Sequence, residues 1–108
     1  MPTYMTHFSY TVEGWQKLAK NPEDRSVPVK ALIEKLGGKL VSMYYMAGDY
    51  DGFIIYEAPD ATVAGTAIIA VELAGHIRSL KTSQLFTVAE TIEMTGKAGK
   101  LAYPAPKG

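Results

Sequence analysis

Two periods of hydrophobicity alternate along the chain. From Thr3 to Thr11 (Thr-Tyr-Met-Thr-His-Phe-Ser-Tyr-Thr) the period is two and the residues are rich in Tyr, Phe and Thr. This predicts a first strand with Tyr4, Thr6, Phe8 and Tyr10 on one face and Met5, His7 and Ser9 on the other. After Thr11 the period becomes helical. Thr11 is placed to cap, Glu13 lies in the first turn, and the spacing of Trp15, Leu18 and Ala19 predicts a buried stripe. Asn21-Pro22-Glu23-Asp24 predicts a break and a second helix start capped by Asn21, and Pro28 predicts a kink or further break at Val27. Val29, Leu32, Ile33 and Leu36 then share one face until Gly37-Gly38 ends the helix.

The stretch from Met43 to Asp60 organises the rest. Strands over Lys39 to Met46 and Asp51 to Glu57 flank the turn-forming group Gly48, Asp49, Tyr50 and Asp51, the pattern of a β-hairpin with Gly48 expected at positive φ. The second of these strands is apolar on both faces: Phe53 and Ile55 point one way, Ile54 and Tyr56 the other. Helices of so small a domain cover one side of a sheet, so a partner subunit is expected to cover the other. Asp60 caps a helix whose stripe is Val63, Ala67, Ile68 and Val71, and Gly75 ends it. A fourth strand follows over Ile77 to Val88. Thr87 and Glu90 form a capping box for a short helix ending at Met94, which closes the domain, residues 1–94. Residues 95–108 read as a flexible or partner-wrapping tail. The order strand, helix, strand, strand, helix, strand is the α+β, ferredoxin-like βαββαβ arrangement: a four-stranded antiparallel sheet with two helices on one face.

Composition narrows the partners. Eleven basic and eleven acidic residues cancel to zero net charge, without the basic stripe that nucleic acid requires. No residue is cysteine, which removes disulfides, thiolate metal sites and cysteine nucleophiles and fits a cytoplasmic protein. The N-terminus lacks a signal peptide's pattern, and the apolar stretch from Ala64 to Ala74 is broken by Gly65, Thr66 and Glu72, so no membrane partner is expected.

Gly48-Asp49-Tyr50-Asp51, with the apolar strand and Glu57-Ala58-Pro59-Asp60 behind it, resembles the motif that names the GYD-domain proteins. Met1-Pro2-Thr3-Tyr4, Tyr10-Thr11, Leu36-Gly37-Gly38-Lys39, Ile77-Arg78 and Phe86-Thr87 extend the resemblance in matching order. It implies a dimeric α/β barrel in which two ferredoxin-like sheets pack face to face, with Tyr50 and Asp51 as the motif's tyrosine and aspartate. It implies a fold and no particular reaction.

Chemistry is less clearly marked. The candidate acid–base residues are His7, Asp51 and Glu57; the bland alternatives are a hydrogen-bonded core histidine, a turn carboxylate accepting backbone N–H groups, and a buried ion pair of Glu57 with Arg78 or Lys81. His76, beyond the Gly75 helix stop, reads as a favourable cation at a helix C-terminus. Tyr10, Tyr44, Tyr45, Tyr56 and Trp15 are candidates to line a pocket for an apolar or aromatic molecule. Two histidines without paired spacing predict no metal, and no phosphate loop or dinucleotide fingerprint predicts a cofactor. Three functions stay open: a homo-oligomeric domain binding a small organic molecule or acting in assembly; a cofactor-free oxygenase or isomerase of the barrel type; and a structural oligomer larger than a dimer, tied together by the tail.

Overall fold

A computed structural model describes all residues, 1–108. The elements are β1 (Thr3–Tyr10), α1 (Val12–Lys20), α2 (Ser26–Lys35), β2 (Lys39–Tyr45), β3 (Gly52–Glu57), α3 (Ala61–Leu73), β4 (Ile77–Leu85) and α4 (Val88–Ala98). The strands form one antiparallel sheet in the order β2-β3-β1-β4, the ferredoxin-like topology. β1 is therefore central, with Thr6 opposite Ile54 on one side and Thr82 on the other. In β2 the register slips between Leu40 and Ser42, a bulge at Val41 that places Leu40 and Met43 on the same face as Tyr56 and Ile54.

The helices α1, α2 and α3 lie on that face. The core gathers Tyr4, Ile33, Tyr56, Ala58 and Ala64, all buried, with Val29, Leu40, Ile54 and Val63 packed around them. Tyr4 and Tyr56 stack with ring centroids 5.7 Å apart. The opposite face has no helix over it. It presents Met5, Phe53 and Ile55, half-buried, and Tyr44, exposed, so the two-sided apolar character of β3 is as the sequence indicates.

Several local expectations need correction. Trp15 is not in a buried stripe: it is 41% exposed and Ala19 is exposed, while Leu18 is half-buried and the fully buried residue of α1 is Gly14. A Cβ on Gly14 would stand 3.1 Å from the His76 carbonyl oxygen, so the lack of a side chain lets α1 approach the start of β4. Asn21 closes α1 rather than capping a second helix, and α2 begins only at Ser26. Pro28 neither kinks nor breaks that helix, because it sits in the first turn, where an N–H has no intrahelical acceptor to lose. β4 stops at Leu85 rather than Val88, since Thr87 is taken as the cap of α4. The capping box is present, and it carries α4 to Ala98, past the expected end at Met94 and into the segment read as tail. No residue of α4 is buried, and the helix makes no substantial contact with any other element.

Two predictions follow from these local devices. A Cβ on Gly52 would lie 2.6 Å from the Tyr44 carbonyl oxygen and against the Phe8 ring, so Gly52→Ala is expected to cost about 1–3 kcal/mol in urea unfolding. The Glu90 carboxylate is held below its ordinary value of 4.5 by the Thr87 backbone N–H, then by the Thr87 side chain. A depressed carboxylate stabilises the fold fully above its unfolded pKa and loses that contribution as pH falls through the folded value. The amide signals of Thr87 and Glu90 are therefore expected to show fraying of α4 on acidification below about pH 4.5, with β1 unaffected.

Candidate functional site

The period-two alternation of the strands brings Thr6 and Phe8 of β1, Ile54 and Tyr56 of β3 and Leu80 of β4 onto one face, where they floor a cleft of about 340 Å³. Leu18 of α1, Leu32 of α2 and Ile68 and Val71 of α3 form its walls. The volume falls within the range of small-molecule sites. The space exists because α3 and its C-cap residue place Ala67, Ala70 and Ala74 along it, side chains too short to reach the sheet.

The floor carries one polar group of atoms, and it is self-contained. Thr6 Oγ1 lies 2.9 Å from the Tyr56 hydroxyl and 2.9 Å from Thr82 Oγ1. These partners leave the three hydroxyls satisfied without a ligand. Burial raises the Tyr56 pKa, opposed by the hydrogen bonds with Thr6 and Thr82.

At one end of the cleft stands an aromatic cluster. The rings of Tyr10 and Trp15 meet edge to face at 5.1 Å, and the Tyr10 and Tyr45 hydroxyls are 3.0 Å apart. Asp51 holds this end together. Its carboxylate accepts from the Tyr10 backbone N–H at 2.9 Å and from Trp15 Nε1 at 3.0 Å. Burial, then the hydrogen bond with Tyr45, places the Tyr10 hydroxyl well above the ordinary tyrosine range, while the nearby Arg25 charge acts in the opposite sense. The rim is charged: Lys17, Glu23 and Arg25 border the opening, with Arg25 Nη1 donating to Glu23 Oε1 at 2.8 Å. His76, at the start of β4, also borders the cleft, and its Nδ1 is buried without a hydrogen-bond partner.

The residues singled out in the sequence divide between the two faces of the sheet. Tyr10 and Tyr56 line the cleft, and Tyr45 and Trp15 stand against Tyr10 at its end. Tyr44 lies on the opposite face, stacked on Phe53 at 5.7 Å, because consecutive strand residues point to opposite sides. The candidates His7, Asp51 and Glu57 are not brought together, and none of them lines the cleft. His7 lies on the open face between the rings of Tyr50 at 5.1 Å and Phe53 at 5.9 Å, and its Nδ1 is buried with no partner, in place of the expected hydrogen-bonded core histidine. Glu57 forms no ion pair with Arg78 or Lys81: β1 separates β3 from β4, so Glu57 faces Thr3 and Lys39, while Lys81 faces His7. Gly48 does not take positive φ, and the loop is closed instead by the Met46 N–H donating to the Asp51 carbonyl at 2.8 Å. No group of three or more His, Asp or Glu side chains is placed to hold a metal ion. Lys17, Arg25 and His76 were not singled out for the cleft; nothing in the sequence distinguishes the first two from surface charges or His76 from a helix-end cation.

The GYD domain matches residues 4–95, from β1 into α4. The chain belongs to the GYD-domain family. A protein of Thermus thermophilus named "Glutamine synthetase and cystathionine beta-lyase binding protein" is 29% identical over 92 residues, 85% of this chain and 96% of its own length. A crystal structure of a NIPSNAP domain protein from Burkholderia xenovorans superposes with a TM-score of 0.47 at 10% identity, over 82% of this chain and 96% of that one. In this GYD-domain chain the tyrosine and aspartate of the motif part company: Tyr50 turns to His7 on the open face, Asp51 to Tyr10 and Trp15 on the helix side.

Asp51→Ala strands two donors at once, one of them a backbone N–H. The expected loss is about 1–3 kcal/mol in urea unfolding, with a red shift of Trp15 emission as the indole is released. Unchanged stability and emission would remove the carboxylate from this structural role.

Proposed function

We propose that this GYD-domain protein is a non-catalytic binding domain of the cytoplasm that self-associates through the open face of its sheet and receives a small apolar or aromatic molecule in the cleft on the other face. The observation that carries the ligand reading is the cleft: an apolar space of about 340 Å³ whose floor hydroxyls are already satisfied and whose polar groups otherwise lie at its rim. Self-association draws support from the opposite face, where Met5, Tyr44, Phe53 and Ile55 have no helix over them and the buried His7 Nδ1 has no partner within the chain. The family's sheet-to-sheet barrel is the arrangement we assign to it. The alternative of a cofactor-free oxygenase or isomerase draws no support from the placement of His7, Asp51 and Glu57, which are dispersed and outside the cleft.

A second reading rests on α4. Val88 and Ile92 on the helix, and Phe86 and Leu101 just before and after it, are all more than half exposed, no residue of α4 is buried, and the Thermus relative is named for binding other proteins. Docking of a protein partner on α4 is compatible with the cleft reading, because the two surfaces are separate.

Sedimentation of the full chain tests self-association. The wild type is expected to run as a dimer or larger, and Ile55→Glu, which sets a charge in the middle of the open face, as a folded monomer. A monomeric wild type would end the self-association proposal and leave the cleft untouched.

A further inference from the structure

We propose that the cleft takes an amphipathic monocarboxylate, with its apolar body between the sheet and α3 and its carboxylate at the rim on Arg25 and Lys17. This rests on the reading of the cleft as a ligand site and names the chemistry of the ligand. The cations among its lining residues are Lys17 and Arg25, and each is held only in an exposed ion pair, with Glu13 and Glu23 respectively, so both can turn to a ligand anion.

The Arg25 guanidinium is available. Arg25 occupies the N-cap position of α2, yet its side chain makes no capping hydrogen bond. Its partner is Glu23, in a pair whose side chains are 40% and 56% exposed. An exposed pair contributes little, so a ligand carboxylate can replace Glu23 by an exchange of like for like at small cost. Lys17 is held more loosely still, 3.8 Å from Glu13 on an exposed helix surface. Arg25 and Tyr10 both line the cleft.

The interior restricts the ligand to one polar end. Thr6, Tyr56 and Thr82 already satisfy one another, and the surrounding walls are Leu18, Leu32, Ile68 and Val71. A second charge carried inward would be desolvated with nothing to pair it.

The experiment is calorimetric titration of the full chain with decanoate and with decanol, on the wild type, Arg25→Gln and Ala70→Phe. Arg25→Gln removes the charge without removing a cap, and Ala70→Phe fills the α3 side of the space. Decanoate is expected to bind at least about tenfold tighter than decanol. Arg25→Gln is expected to bring decanoate to the level of decanol, and Ala70→Phe to weaken both. Equal binding of the two probes to the wild type, or a preference for decanoate that survives Arg25→Gln, overturns the carboxylate assignment while the cleft stands as an apolar site. Binding of neither probe, or binding that Ala70→Phe leaves unchanged, overturns the cleft reading itself and the inference with it. Unchanged thermal unfolding of both variants separates these outcomes from misfolding.

Discussion

The Asp51 carboxylate sits where three segments of chain meet: the loop leaving β2, the end of central strand β1, and the first turns of α1. An acceptor there ties the Tyr10 backbone and the Trp15 indole to the start of β3, and so sets the end of the cleft as well as the angle at which α1 leaves the sheet. A carboxylate suits this junction better than an amide because it accepts from both donors without presenting a hydrogen of its own. Gly14 completes the arrangement from the other side, letting the helix backbone come down on His76. The positions of Tyr10, Tyr45 and Trp15 all descend from this junction.

The sheet imposes a second constraint. β1 and β3 carry large apolar or aromatic residues on both faces, and α1, α2 and α3 occupy one of them. On the covered face, short side chains of α3 leave room between layers. On the other, Met5, Tyr44, Phe53 and Ile55 have no helix over them. One domain thereby presents two apolar surfaces of different character, a recess and a flat face, which is why one is read as a ligand site and the other as an interface.

Much of this architecture was legible because it depends on short-range chemistry. The alternation in Thr3 to Tyr10, the caps at Thr11, Asp60 and Thr87 and the glycines at 37 and 75 each act within a few residues. The doubly apolar β3 could be read from its own residues. Errors arose where a tertiary partner decides the outcome. Trp15 has helical core spacing, yet its indole is drawn to Asp51, 36 residues away in sequence. Glu57 was matched to β4 when the strand order inserts β1 between them. Pro28 has opposite meanings in the first turn and in the middle of a helix, and the start of α2 was set by Asp24 and Ser26 rather than by Asn21. The cleft was the least legible feature, since a space between layers leaves no pattern along the chain.

The alanines of α3 have a consequence for how such a domain can diversify. The helix is anchored by its Asp60 cap and by buried Ala64, while Ala70 and Ala74, further along, face the cleft and are exposed. Side-chain length at those two positions regulates capacity independently of the sheet and of the Asp51 junction. Substitution at those two positions therefore changes the volume of the cleft one carbon at a time, with the core of Tyr4, Ile33, Tyr56, Ala58 and Ala64 left alone.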